Sequence, residues 1–238
     1  MGHQSYFIWN GFDCRSKGVI TRGPAPIVRP EERVRHIEIP GRSGDLTELE
    51  GENIYNSYIQ TVSIAVHGGY RVREIYRWLR GAGYVTFSGE PDRRQKARII
   101  GAVTLNKHSY NMDWWEGEVQ FYCQPLKELL TETPVTITST GASVRNNGDV
   151  NASPLWKVTV NGTGATLMAG GNTIALTGMT IGSVIWIDSE TMEVWNADRT
   201  ATITEKSSGQ FPILRPGNNA VTFTNCSSIE IHKRERYL

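Results

Sequence analysis

Alternation between apolar and polar residues recurs along most of the chain, and it predicts β-strands. Residues 58–68 (YIQTVSIAVHG) place Tyr58, Val62, Ile64 and Val66 on one face, and residues 114–126 (WWEGEVQFYCQPL) do the same with Val119, Phe121 and Cys123. The second run is predicted to end at Pro125, because proline cannot donate a hydrogen bond to a strand ladder. Residues 83–105 contain two such strands around a Gly-Glu-Pro-Asp turn. The first half of the chain is therefore predicted to be rich in β-strands.

One segment has the spacing of a helix instead. Over residues 70–83 the apolar side chains recur at intervals of three and four, which predicts an amphipathic helix whose arginines point away from the core. Gly81 is predicted to follow the end of this helix in a left-handed conformation. The stripe that the helix is expected to bury against a sheet consists of Val72, Ile75, Tyr76 and Leu79.

The composition changes near residues 127–135. Beyond this point glycine, threonine, asparagine and valine dominate, and turn residues recur at short intervals, as is typical of a β-sandwich. Residues 183–196 (SVIWIDSETMEVWN) form the clearest predicted hairpin. The sequence thus predicts a mainly β fold of two domains, residues 1–130 with the one helix and residues 131–238 as a sandwich.

The charge of the chain is almost balanced. Lysine and arginine number 25 against 24 aspartate and glutamate, and neither predicted domain has a large excess. Nucleic-acid binding needs such an excess to neutralise phosphates, so it is disfavoured as the main function. No apolar run is long enough to span a membrane, and no secretory signal pattern is visible. We therefore expect no membrane insertion, and a protein that stays in a cytoplasm until it assembles.

The sequence contains no complete catalytic or metal-binding motif. The run GRSGD resembles a nucleophile elbow, but Asp45 stands where that motif has glycine, so Ser43 is not expected to act as a nucleophile. The histidines lack metal-ligand spacing, and the three cysteines are expected to be small buried hydrophobes. We predict no enzyme activity, no cofactor and no bound metal.

Taken in order, these segments resemble the distal tail (Dit) proteins of long-tailed bacteriophages. Residues 7–20 (FIWNGFDCRSKGVI) are similar to the family's aromatic strand, Asn-Gly turn and aliphatic pair. Residues 35–46 (RHIEIPGRSGDL) are similar to its strand followed by Ile-Pro-Gly-Arg-x-Gly. The later strands, the helix with Trp78 and the sandwich-like second half follow the family's order, so the resemblance covers nearly the whole chain.

The resemblance implies a virion structural protein of the tail tip and baseplate, assembled in the host cytoplasm. Residues 1–130 would form a β-sandwich or split-barrel-like ring domain next to the tail tube, and residues 131–238 a galectin-like β-sandwich. The implied partners are further copies in a homohexameric ring, the major tail tube protein, a tail-tip or tail-associated protein, a receptor-binding protein and the tape measure protein. DNA would pass through the lumen without specific binding.

The segment IEIPGRSGDL, residues 37–46, is predicted to be a docking element. Its proline fixes one backbone angle, whereas its glycines reach conformations that other residues avoid. Its arginine has the planar donors needed for a bidentate contact to a carboxylate. The residues expected to meet a neighbouring subunit or the tail tube are Pro40, Gly41, Arg42, Gly44 and Asp45.

A cluster in the second domain leaves an alternative function open. Asp188, Glu190 and Glu193 lie beside Trp186 and Trp195 in the sequence. Carboxylates beside tryptophans occur in glycoside hydrolases and sugar-binding platforms, although solvated acids at a hairpin tip give the same pattern. We expect solvated acids, and retain as the alternative a carbohydrate-binding module that recognises host cell-wall glycan through Trp186 or Trp195.

Overall fold

The structure is a computed structural model, and it describes residues 5–238. The chain divides into two compact units, the first comprising Met1–Leu130 with Leu238 and the second Thr131–Tyr237. Most of the described residues lie in strands, and α1 (Gly69–Trp78) is the one α-helix among them. The predicted mainly β fold with a single helix is confirmed.

The first unit also contains a 3-10 helix at Cys14–Lys17. Its strands are β1 (Phe7–Trp9), β2 (Phe12–Asp13), β3 (Val19–Thr21), β4 (Val34–Ile37), β5 (Leu46–Leu49), β6 (Tyr58–His67), β7 (Ala82–Phe87), β8 (Arg93–Ser109) and β9 (Met112–Leu129).

The second unit contains a 3-10 helix at Thr204–Lys206. Its strands are β10 (Val135–Ile137), β11 (Ala142–Asn146), β12 (Leu155–Val160), β13 (Gly164–Ala169), β14 (Asn172–Thr177), β15 (Val184–Asp188), β16 (Glu193–Trp195), β17 (Ser207–Gly209), β18 (Gly217–Thr224), β19 (Cys226–His232) and β20 (Arg236–Tyr237).

The main sheet of the first unit curls until its two edges approach each other. Its strands follow the antiparallel order β2-β1-β7-β8-β9-β6-β3. The two edge strands are joined through the 3-10 helix Cys14–Lys17, so the chain passes from one edge to the other within a few residues. The hydroxyl of Thr21 on β3 donates to the carbonyl of Ser5, just before β1, at 2.7 Å. The curled sheet therefore encloses a core on its inner face.

The core of the first unit is rich in aromatic rings. Phe121 on β9 is fully buried, and its ring centroid lies 5.5 Å from those of Phe7 and Trp9 and 5.7 Å from that of Phe87. These separations are in the range of favourable aromatic contacts. Cys123, two residues along β9, points into the same core, and burial raises the pKa of its thiol to about 12.

Helix α1 packs against β6 and β9, and β9 also supplies its N-terminal cap. Gly68 precedes the helix with a φ of 95°. The N–H of Gly69 donates to the carboxylate of Asp113 at 3.0 Å, and the indole N–H of Trp115 donates to the same carboxylate at 3.0 Å. The hydrogen bond from Trp115 is the main cause that lowers the pKa of Asp113, and the hydrogen bond from Gly69 lowers it further. A carboxylate at this position satisfies a helix N–H that has no partner within the helix.

The helix differs from its prediction at one side and at its end. Ile75 and Leu79 are buried, whereas Tyr76 is 39% exposed and its hydroxyl accepts the N–H of Leu105 at 3.2 Å. The helix is capped at Leu79, so Gly81, with a φ of 78°, lies beyond the position predicted for it. No helix within residues 5–238 has the length and apolar character needed to cross a membrane.

Strand β9 continues past Pro125, so its predicted end at this residue is wrong. Opposite this point the register of β8 shifts between Gln95, which pairs with Lys127, and Ala97, which pairs with Cys123. Pro125 thus lies at an irregularity of the ladder, where its missing N–H leaves no hydrogen bond unmade.

The second unit is a sandwich of two five-stranded antiparallel sheets. Their orders are β10-β19-β12-β15-β16 and β11-β18-β13-β14-β17. Side chains from both sheets share one core that contains the fully buried Trp156, whose indole N–H donates to the hydroxyl of Ser189 at 3.0 Å. The hairpin predicted over residues 183–196 is β15 paired with β16.

Candidate functional site

A β-hairpin, residues 31–56, extends from the first unit, and we call it the arm. Its strands β4 and β5 form a separate two-stranded sheet. At its base the N–H of Asn56 donates to the carbonyl of Glu31 at 2.8 Å, and the N–H of Arg33 donates to that of Ile54 at 2.9 Å. Every side chain from residue 38 to residue 52 is exposed. Because a lone two-stranded hairpin is only marginally stable in water, the arm is suited to gain stability from another surface.

Each face of the arm carries one pair of apolar side chains. Val34 lies opposite Leu49, and Ile37 lies opposite Leu46. The two pairs are three residues apart along β4, so they point to opposite faces. Leu46 is 45% exposed and Leu49 is 59% exposed. A hairpin with apolar side chains on both faces fits a groove better than a flat surface.

The tip of the arm brings together the five residues predicted from the sequence as a docking element. The N–H of Arg42 donates to the carbonyl of Ile39 at 3.1 Å and closes a turn. Gly41 and Gly44 have φ values of 81° and 79°, and a side chain at either position would meet no atom within 4 Å. The backbone angle, not the lack of space, therefore requires glycine there. The residues held at this exposed tip are Pro40, Gly41, Arg42, Gly44 and Asp45.

The arm and the remainder of the first unit carry opposite charge. The arm has seven Asp and Glu against three Arg, a formal charge of −4. Residues 1–30 and 57–130 have fourteen Lys and Arg against eight Asp and Glu, a formal charge of +6. The near-neutral total conceals this separation, which charge counting over the whole half of the chain missed.

The two tryptophans predicted as glycan contacts are neighbours across the β15–β16 hairpin. Trp186 lies directly opposite Trp195. Residues on either side of Trp186 in β15 point into the core, so the two indoles share the outer face of the sheet. Charged groups approach the Trp186 ring, with Lys157 Nζ and the guanidinium carbon of Arg199 each 5.4 Å from its centroid. Glycan contact through this pair stays a prediction.

Asp188 and Glu190, two of the three carboxylates beside these tryptophans, are held by arginines. Asp188 is 3% exposed and accepts two hydrogen bonds from the guanidinium of Arg234, at 2.6 and 3.0 Å. Glu190 accepts from Arg234 at 3.3 Å and from Arg236 at 3.2 Å. The interpretation of Asp188 as a solvated acid is therefore wrong. The sequence does not indicate the ion pair, because Arg234 lies 46 residues away from Asp188. Asp188 is thus the buried member of a partly buried ion pair.

Glu235 is a second buried carboxylate in the same unit. It is 4% exposed, and its oxygens accept from Lys233 at 2.5 Å, from the Tyr237 hydroxyl at 2.7 Å and from the N–H of Asn147 at 2.9 Å. Burial raises the pKa of this carboxyl, but the three donors outweigh burial and leave the pKa lowered. The same balance, with Arg234 as the main donor, lowers the pKa of Asp188.

These two pKa values predict that the second unit is sensitive to acid. Both carboxyls have folded-state pKa values below those of the unfolded chain, about 3.9 for Asp and 4.3 for Glu. Their contribution to stability is therefore complete above the unfolded values and is lost as the pH falls through the folded values. We expect the protection of the amides in β12, β15 and β19 against exchange, taken relative to the intrinsic exchange rate at each pH, to fall below about pH 4. The combined variant Asp188→Asn, Glu235→Gln should reduce this dependence, and an unchanged slope would contradict the assignment.

The cysteines and other potential metal ligands are dispersed. Cys14, Cys123 and Cys226 are buried free thiols, and burial raises the pKa of each. Within residues 5–238, no group of three or more His, Cys, Asp or Glu side chains has the arrangement of a metal site.

Comparisons with known proteins find similarity in structure alone. No protein-family model matches the chain, and no curated protein matches it in sequence. The chain superposes with a TM-score of 0.80 on the crystal structure of the SPP1 Dit (gp 19.1) protein, described as a paradigm of the hub adsorption apparatus in phages that infect Gram-positive bacteria. The match covers 98% of this chain and 99% of that chain, at 17% sequence identity.

The chain has the Dit fold. Both units belong to this fold, because the match spans nearly the full length of each chain. A chain of the phage p2 baseplate, solved in its activated conformation with Sr, gives a TM-score of 0.45 at 10% identity, covering 96% of this chain and 97% of that chain. In the described residues, the Dit fold of this chain presents the arm as an exposed, unpaired hairpin.

Proposed function

We propose that the protein is a structural component of a phage tail, a distal tail hub at the end of the tail tube. The observation that carries this proposal is the Dit fold along the whole chain. The described residues also support a role without catalysis, because Asp188 and Glu190, two of the three carboxylates near the tryptophans, are paired with arginines. In this role the protein works through its surfaces, by holding other chains in a fixed arrangement.

The proposed assembly is a homohexameric ring closed by the first units. The exposed arm supports this, since its apolar side chains and its tip have no covering surface within the described chain. Arg42 and Asp45 form no ion pair with any described residue, so both are free to pair across an interface. The ring would surround a lumen through which DNA passes without specific binding, consistent with the balanced total charge.

The mass of the purified chain in solution tests this proposal. One chain has a mass of 26.6 kDa, so a hexamer should give about 160 kDa by light scattering and a ring in negative-stain images. The double variant Arg42→Ala, Asp45→Ala should form fewer or less stable rings, whereas Ser43→Ala in the same loop should behave as wild type. Rings of equal stability in the double variant would remove the tip from the interface.

The other proposed partners are the major tail tube protein on one side and a tail-tip or tail-associated protein on the other. A receptor-binding protein and the tape measure protein are further candidates. If the chain alone is a monomer, addition of tail tube and tip proteins should induce the ring. Absence of a ring under those conditions would overturn the hub proposal.

A second candidate function is binding of host cell-wall glycan by the second unit. The observation that favours it is the pair of indoles, Trp186 and Trp195, side by side on an outer sheet face. Saturable binding on a glycan array that is lost in Trp186→Ala and Trp195→Ala would support it. Binding that is absent, or unchanged in both variants, would exclude these tryptophans.

A further inference from the structure

The outer face of the main sheet contains a groove that crosses β7, β8 and β9. It has a volume of about 510 Å³, and the residues that line it include Tyr84 and Tyr122. On β9, Phe121 and Cys123 point inward, so Tyr122 between them points outward and is 39% exposed. Ile59 on β6 lies directly opposite Tyr122 and is 54% exposed. Tyr122 and Ile59 thus form an exposed aromatic–aliphatic pair next to the cations of β8.

The groove is positively charged. Lys96 and Arg98 line it from the same strand, and no Asp or Glu is among its lining residues. Both cations are exposed, and neither forms an ion pair with a residue that the structure describes. The Arg94 guanidinium carbon lies 4.5 Å from the Tyr84 ring centroid at the rim, where Glu128 balances its charge by accepting from Arg94 Nε at 2.9 Å, so the free charge of the groove is that of Lys96 and Arg98. A fitting ligand is therefore acidic, with apolar side chains beside its acids.

The tip of the arm has this chemistry. Glu38 and Ile39 leave β4, and Asp45 and Leu46 enter β5, so each side of the tip presents one acid next to one aliphatic side chain. Both acids are exposed, and Ile39 and Leu46 are 39% and 45% exposed. Two carboxylates and two aliphatic groups on the two sides of the tip thus match two cations and two aromatic rings in number and kind, with Arg42 between them at the turn.

We propose that the groove of one copy is the docking site for the arm tip of a second copy. The carboxylates of Glu38 and Asp45 pair with Lys96 and Arg98, and the neighbouring aliphatic groups pack on Tyr84 and Tyr122. The inference rests on the proposed ring and specifies its interface. The net charges of −4 on the arm and +6 on the remainder of the first unit favour the same pairing over longer distances.

This contact is heterologous, because the arm and the groove are different surfaces. Each copy then gives its arm to one neighbour and receives the arm of the other, and such head-to-tail contacts close into a ring when the rotation between copies permits it. The contact would also stabilise the arm, because a groove covers more of a hairpin with apolar side chains on both faces than a flat surface does. A partner of another kind is less well matched, since the acids and cations of this chain complement each other.

Charge reversal on the two surfaces tests the pairing. The arm variant Glu38→Lys, Asp45→Lys and the groove variant Lys96→Glu, Arg98→Glu should each raise the concentration at which the ring dissociates about 100-fold. An equimolar mixture of the two variants should restore the ring, because every arm then meets a groove of opposite charge. Ring formation is read by light scattering and negative stain, with tail tube protein present if the wild type requires it.

The outcomes separate the two proposals. If the wild type forms no ring under any of these conditions, the hub function fails. If the wild type forms rings but either variant does so equally well, or the mixture does not recover them, the arm does not dock in this groove. Amide exchange in β6 and β9 checks that each variant is folded. The milder groove variant Lys96→Gln, Arg98→Gln replaces the reversal if that protein does not fold, and unchanged ring stability would overturn the inference.

Discussion

Replacement of Asp188 by alanine is expected to lower the free energy of unfolding of the second unit by about 3–5 kcal/mol. The change leaves the guanidinium of Arg234, whose side chain is 24% exposed, without its bidentate partner. It also removes the acceptor for the N–H groups of Glu190 and Thr191, which Asp188 holds at 3.0 and 3.3 Å. Exchange of the amides in β12, β15 and β19 measures the loss.

Backbone strain adds to the expected effect of this substitution. Arg234 has a φ of 52°, in the left-handed region that residues with side chains rarely adopt. Its N–H donates to the carboxylate of Glu132 at 2.7 Å, so two hydrogen-bonded contacts hold the backbone in this conformation. When Asp188 is lost, one of the two contacts disappears and the left-handed conformation loses support.

A matched control and a double-mutant cycle isolate the ion pair. Glu193→Gln removes a carboxylate from the strand paired with that of Asp188, and it should change the unfolding free energy by less than about 0.5 kcal/mol. The double variant Asp188→Ala, Arg234→Ala should lose less unfolding free energy than the two single variants together. Once one partner of the bidentate contact is removed, removal of the other cannot break that contact again. Additive losses would show that the two residues do not stabilise each other.

The strands and the core could be predicted from the sequence because their signal is local. In β6 and β9, alternation over ten or more residues identifies the inward face, and Val119, Phe121 and Cys123 lie there as expected. Helix α1 was predicted from its spacing for the same reason. The position of Gly81 relative to the end of the helix was not predicted correctly. Leu79 is buried in the core and caps the helix, so the helix ends before Gly81.

Contacts between distant residues could not be predicted in this way. Asp113 caps a helix that begins 44 residues earlier, and nothing in its own neighbourhood marks it as a cap. From the sequence, Asp188 is predicted to be solvated. Only the fold brings Arg234, which lies 46 residues later, into contact with it. Pro125 reads as a strand end, although the register shift in β8 accommodates it within β9.

The two surfaces of the candidate site also differ in whether a local sequence signal marks them. The sequence alone suggests the tip of the arm as a docking element, because proline, two glycines, arginine and aspartate lie within the six residues 40–45. The sequence does not suggest the groove, which exists only when the pairing of β7, β8 and β9 places Tyr84, Lys96, Arg98 and Tyr122 on one face. A short motif can therefore point to the arm tip of the proposed contact, whereas the proposed groove can be recognised only from the pairing of the strands.

Replacement of Phe121 by alanine should have an effect of similar size on the first unit, about 3–5 kcal/mol. The ring is fully buried between those of Phe7, Trp9 and Phe87, so truncation leaves a cavity that three large side chains border. These rings lie on β1, β7 and β9, and rigid strands on several sides limit how far the core can collapse into the space. Amide exchange in β6, β8 and β9 provides the measurement.

The neighbouring residue on the same strand supplies the control for this prediction. Gln120 points to the outer face, is exposed, and does not line the groove, so Gln120→Ala should change the unfolding free energy by less than about 0.5 kcal/mol. The two variants differ by one position along β9 and by the face of the sheet that they alter. A loss below about 1 kcal/mol for Phe121→Ala would mean that the core refills the cavity, which contradicts a curled sheet held rigid by its aromatic centre.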